Sequence, residues 1–163
     1  EKEKGSVEAE VLLNGMLAHD RNSTITFNWE KATSLEGETG PFILYSFARA
    51  NSILRKAGKL AKAKPKKMAP VKLELDHEKE KRLVSLLAAY KDKIKEAAEQ
   101  SSPHKIAFYL LELAQEFNSF YHEVPVLQAT PEKASQRIAL VKAVMQVLEN
   151  GLSLLNIGTI DEM

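Results

Sequence analysis

Cysteine is missing from all 163 residues, which excludes disulfides and zinc–thiolate sites and leaves the redox compartment unreadable. No apolar run approaches the roughly 20 residues of a membrane-spanning helix, and no signal-peptide pattern opens the chain. Charge of one sign is lacking too: 23 Lys and Arg against 22 Asp and Glu leave a net charge of +1. A chain so balanced does not coat nucleic acid by bulk attraction, so any such binding must come from a local patch. The four histidines, His19, His77, His104 and His122, are scattered without metal-ligand spacing. His122 follows Tyr121 near a helix end and reads as a capping or surface group rather than a ligand. No Gly-rich phosphate loop is present. The acid pairs Glu78/Glu80 and Glu112/Glu116 are explained by solvated ion pairing on polar or lysine-rich helix faces. Nothing in the chain therefore converges on bond-making chemistry, a metal or a cofactor of its own.

Apolar residues make up 44% of the chain, enough to bury one substantial core, so a single domain is expected. The sequence opens on Glu1 rather than Met, which predicts a piece of a longer chain. The plain expectation is a soluble intracellular protein. Almost nothing alternates with period two, and the pattern predicts an all-α antiparallel helix bundle with a less regular N-terminal arm. Val7 to Ala18 reads as a short helix weakened by Asn14 and Gly15, His19 to Asn28 as loop, and Trp29 to Leu35 as a helical turn. Pro41 suits the first turn of a helix running to about Ala57, with Gly58 as its stop. Asp76 is placed to cap a second long helix with Leu83, Leu86, Leu87, Tyr90 and Ile94 on one stripe. Ser101 or Ser102 is placed to cap a third, whose stripe is Ile106, Tyr109, Leu110, Leu113, Phe117, Phe120 and Tyr121 and which Pro125 ends. Thr130 and Pro131 open a fourth, with Ile138, Val141, Met145, Leu148, Leu152 and Leu155 stepping by three and four.

The helix that begins at Pro41 is the most informative element. At about 100° per residue, Phe42, Tyr45, Arg49, Ile53 and Lys56 share one stripe, and Leu44, Phe47, Ala48 and Leu54 the opposite one. Exposed aromatics and cations are costly if they meet only water. They can instead stack on unpaired bases and neutralise phosphate, which points toward RNA. Tyr121, at the end of its helix beside the core residue Phe120, either joins the core or turns its ring outward. Residues 55 to 72 hold eight Lys or Arg and no acid, and Pro65 and Pro70 break any helix there. That basic linker is either a solvated loop or a phosphate-contacting one. A helical protein-interaction module without RNA binding is the competing functional class.

Several separate motifs resemble the C-terminal part of arginyl-tRNA synthetases. They begin with Phe27-Asn28-Trp29-Glu30, Glu36-Gly37-Glu38-Thr39-Gly40-Pro41-Phe42, Tyr45, Ala48-Arg49, Ser52-Ile53 and Arg55-Lys56. They continue with Phe117-x-x-Phe120-Tyr121, the run from Arg137 through Leu140-Val141, Val147-Leu148 and Gly151-Leu152 to Ile157, and the terminal Asp161-Glu162-Met163. The resemblance spans roughly residue 27 to the C-terminus. It implies an all-α anticodon-binding domain of the class Ia type named after its DALR motif, over residues 36–163, with a basic linker at 58–75. Residues 1–35 would be the tail of the catalytic domain. The implied partner is the anticodon stem and loop of arginine tRNA, the middle cytosine above all.

Carried over by position, the resemblance implies anticodon contacts from Phe42 (often Tyr in relatives), Arg49, Tyr121 and Met163. Tyr45 joins them from the helix pattern, and Arg55, Lys56 and Lys59 are candidate phosphate contacts. Pro125 stands where some relatives carry Trp. The DALR string is absent in literal form; Arg137-Ile138-Ala139-Leu140 lies near its place. The catalytic signatures of class I synthetases are missing, since Lys67-Met68 is followed by Ala69-Pro70. The implied module binds arginine tRNA without aminoacylating it. ATP, magnesium and arginine would belong to a catalytic domain of the same chain. The expected setting is monomeric and cytoplasmic, a mitochondrial one being left open, with no membrane or DNA partner.

Overall fold

Four helices form the architecture: α1 (Gly40–Ala61), α2 (Glu78–Glu99), α3 (His104–Glu123) and α4 (Pro131–Leu154). The computed structural model describes residues 40–61 and 74–159. The expected N-terminal arm, most of the basic linker, Met163 and the side chain of Lys59 lie outside the described residues. Among the described residues there is no strand. No helix among them is long and apolar enough to cross a membrane.

The central pair α3 and α4 packs together, and each also packs against α1 and α2, which barely touch one another. Apolar periodicity explains this arrangement. Leu110, Leu113, Phe117 and Phe120 of α3 and Val141, Val144, Leu148 and Leu152 of α4 are sealed from solvent. At about 25 cal/mol per Å² of apolar surface, each such side chain contributes roughly 1.5–3 kcal/mol. Leu140 and Val144 join the expected α4 stripe, while Ile138 and Met145 are half-buried. Helices α3 and α4 approach closely at Gly151, where a Cβ would stand 2.5 Å from Leu110 Cδ2.

Four local expectations are corrected. Helix α1 passes through Gly58 to Ala61. Among the described residues, nothing beyond its chain neighbours and the helix's own backbone lies within 4 Å of where a Gly58 Cβ would stand, and an αR glycine costs a helix only about 1 kcal/mol, too little to end it. The helix so claims residues 58–61 from the expected linker. The cap of α2 is His77, not Asp76. Lys79 N–H donates to His77 Nδ1 at 3.2 Å, and the Glu80 carboxylate accepts from His77 N–H at 3.1 Å, a reciprocal capping box. Asp76 instead pairs with Lys133.

Neither Ser101 nor Ser102 caps α3, whose N-cap is Pro103 without a side-chain bond. These serines finish α2 instead. Ser101 takes φ 48°, and the N–H groups of Ser101 and Ser102 donate to Ala98 O and Ala97 O, closing a Schellman turn. Asn156, at φ 57°, closes α4 in the same way.

Of the acid pairs, Glu78 and Glu112 are exposed partners of Lys81 and Arg82, as expected, but Glu80 and Glu116 are not solvated. Glu80 is 2% exposed and accepts from Arg137 Nε at 2.7 Å. Arg137 also donates to Pro125 O at 2.9 Å. Burial alone would raise the Glu80 carboxyl. Hydrogen bonds from Arg137 and from the N–H groups of His77 and Asp76 outweigh it and hold the group below its ordinary range. Glu116 is largely covered and takes Lys79 and Arg82, each at 3.1 Å, across the α2–α3 seam. Both acids sit where helices meet, and there they are counter-ions.

Candidate nucleic-acid interface

One turn of α1 and the last turns of α3 meet around a single cation. Tyr45 and Arg49 are four residues apart on α1 and therefore share a face. Arg49 Nη2 donates to the Tyr45 hydroxyl at 2.5 Å, and its Cζ lies 4.5 Å from the Tyr45 ring centroid. From α3, the Tyr121 ring centroid lies 5.1 Å from the same Cζ. Both distances are within cation–π range. Arg49 Nη1 donates to Asn118 Oδ1, one turn before Tyr121. The guanidinium so has a ring on either account and two neutral oxygens as acceptors. Among the described residues no carboxylate pairs with it.

Tyr121 turns outward, being 39% exposed, with the His122 ring edge-on at 6.0 Å. Tyr121 sits in the last turn of α3, where its neighbour Phe120 takes the core position and is sealed from solvent. Tyr45 and Arg49 are half-buried. Phe42 is also half-buried and packs against the core, so its ring is shared between core and rim. Ile53 does not belong to the exposed face at all; it is 4% exposed. The helix buries a wider arc than its strongly apolar positions suggest, because Ser46, Ala50 and Ala57 are also inside. The remaining front is narrow: Tyr45, Arg49 and Lys56. Arg55 and Lys56 are exposed near the C-terminal end of α1. Pro125 is exposed in the connection after Tyr121, its carbonyl held by Arg137.

Sequence reasoning missed Asn118 and Ser46. Asn118 donates through Nδ2 to Ser46 Oγ at 2.6 Å and to Ala114 O at 2.9 Å. Ser46 Oγ in turn donates to Phe42 O at 2.7 Å. The signal was a polar residue inside an apolar helix stripe, between Phe117 and Phe120, where a buried amide must find partners.

What this surface can do follows from its parts. An arginine held by neutral groups keeps its full charge for an incoming anion, and its fork has more N–H donors than the two used among the described residues. A half-exposed aromatic beside it offers a π-face to a base. Among the described residues, no group of three or more His, Asp or Glu is placed to hold a metal ion.

Comparison with known proteins follows the same line. The family profile described as "DALR anticodon binding domain" matches residues 43–163. The arginine–tRNA ligase of Oenococcus oeni is 40% identical over 147 residues, covering 90% of this chain and 25% of that protein. The arginine–tRNA ligase of Clostridium botulinum strain Hall is 35% identical over 167 residues, covering 99% of this chain and 29% of that protein. Among solved structures, the arginyl-tRNA synthetase of Thermus thermophilus superposes with a TM-score of 0.86 at 33% identity, over 97% of this chain and 27% of that one. The arginyl-tRNA synthetase of Plasmodium falciparum, at 22% identity and a TM-score of 0.82, shares the fold. The chain therefore spans between a quarter and a third of the length of these relatives.

Proposed function

Because the chain belongs to the DALR anticodon binding domain family, we propose that it reads the anticodon stem and loop of arginine tRNA as one module of an arginine–tRNA ligase. The observation that carries this reading is the charged Arg49 fork held beside the half-exposed Tyr121 ring. An unpaired base stacks on an aromatic face for about 1–3 kcal/mol. The guanidinium donates to acceptor atoms on the base edge, and a base with the wrong edge leaves those donors unpaired, at about 1–3 kcal/mol. Phe42, Tyr45, Arg49, Tyr121 and Met163 are the anticodon contacts in this reading, the middle cytosine being the base they read. Arg55, Lys56 and Lys59 neutralise backbone phosphate without reading sequence.

The module acts by positioning. It fixes the anticodon so that the acceptor end of the tRNA reaches a catalytic domain of the same protein. ATP with magnesium, and arginine, serve that domain; this chain contributes tRNA affinity and selection. The protein works as a monomer in the cytoplasm. The test compares two alanine variants for binding to arginine tRNA. Tyr121→Ala removes a stacking ring and lowers affinity about tenfold or more, whereas Lys64→Ala, one cation of many, changes it less than about threefold. Equal small effects of both would overturn the base pocket.

A further inference from the structure

We infer that Asn118 is a positioning residue that aims the Arg49 guanidinium and thereby sets base discrimination; this rests on the anticodon-pocket reading above. Asn118 is 7% exposed, and both ends of its amide are occupied. Its Nδ2 donates to Ser46 Oγ and to Ala114 O, which leaves Oδ1 to face Arg49 Nη1. The amide cannot turn over without opposing its oxygen to the Ala114 carbonyl. A long arginine stem is flexible, and two aromatic contacts do not fix the rotation of its fork. The bond from Nη1 to Oδ1 does so together with the Nη2 bond to the Tyr45 hydroxyl, and of the two acceptors only Asn118 is itself held by buried partners among the described residues. From there a continuous line runs through Ser46 Oγ to Phe42 O, so the α1 turn carrying Phe42, Tyr45 and Arg49 is locked to the α3 turn carrying Tyr121.

The choice of an amide over a carboxylate has a consequence. Aspartate here would accept from Arg49 equally well but would neutralise its charge and lose both donors. A neutral acceptor orients the cation and leaves its charge for the ligand.

The experiment uses the 163-residue chain and a fluorescent anticodon stem-loop of arginine tRNA, alongside the same stem-loop with its middle base changed. Asn118→Leu is expected to lower affinity for the cognate loop about tenfold while the changed loop binds as before, so the ratio between the two loops falls toward that of Arg49→Ala. Asn118→Asp, nearly isosteric, is expected to lower the ratio as well and to reduce the dependence of log K on log salt by about one unit charge. Thermal unfolding of each variant is recorded in parallel. A merely structural role would lower the unfolding temperature and leave the ratio intact, and that result overturns the inference. If Asn118→Leu does not fold, an intact ratio in Asn118→Asp overturns it equally. Loss of discrimination in the unmodified chain would instead overturn the pocket reading itself.

Discussion

Replacing Glu80 by alanine probes the junction that holds the entry of α2 against α4 and the connection after Tyr121. The carboxylate accepts from Arg137 Nε at 2.7 Å and from the backbone N–H groups of Asp76 and His77 at 3.1 Å each. Its side chain is 3% exposed and that of Arg137 is 12% exposed. Removing one member of a buried ion pair costs roughly 3–5 kcal/mol, because the other charge is stranded. Arg137 retains Pro125 O and some solvent, which places Glu80→Ala near the low end, about 3 kcal/mol including the lost cap. For a chain of this size each kcal/mol moves the midpoint by about 2–4 °C, so thermal unfolding should fall by about 6–12 °C. Arg137→Met strands the more deeply buried carboxylate with only the N–H groups of Asp76 and His77, so it should cost at least as much, and the double variant should show a coupling of more than about 1 kcal/mol.

The pH dependence has a definite sign. The folded carboxyl is held below its ordinary value of 4.5. Its stabilisation is therefore full above that value and drains as pH falls through the lower folded value. Glu80→Ala should flatten that part of the acid unfolding curve. A loss under about 0.5 kcal/mol with no coupling to Arg137 would mean an exposed, screened pair and refute the reasoning.

Two further outcomes concern helix packing and helix ends. Gly151→Ala should destabilise, because its Cβ would meet Leu110 Cδ2 at 2.5 Å and Cδ1 at 2.9 Å inside a sealed core. Overpacking of about 1–3 kcal/mol exceeds the roughly 1 kcal/mol that alanine adds to a helix, and urea unfolding showing net stabilisation would contradict this. Ser101→Gly should raise stability by about 0.5–1 kcal/mol, because φ 48° is free for glycine and strained for serine. Asn156→Gly should gain less, since asparagine tolerates that conformation better; the same unfolding curves rank the two.

The bundle was legible in the sequence where helices bury one regular stripe. The alternation from Val141 to Leu155 and the run from Ile106 to Phe120 name their own core faces, and Thr130-Pro131 marks a start that the structure keeps. Local punctuation was less readable. Gly58 and Ser101 each fit two roles, and the neighbouring turns decide between them. The polar junctions were not readable, because their partners lie far apart in the chain. Glu80 meets Arg137 across 57 positions and Arg49 meets Asn118 across 69. Periodicity reports which face is buried, not which charge waits on the opposite helix. The pairing of Arg49 with Tyr121 was similarly beyond pattern alone; helix α1 and the last turn of α3 supply it jointly.

The central claim is that an arginine and a tyrosine on this surface tell one unpaired base from another. It is tested most directly by titrating the unmodified chain with the labelled anticodon stem-loop of arginine tRNA and with a loop whose middle base is changed, at two salt concentrations. The account predicts about tenfold or greater preference for the cognate loop, retained at the higher salt while both affinities fall. Equal affinity for both loops, lost together as salt rises, would reduce the interaction to phosphate attraction and contradict the account.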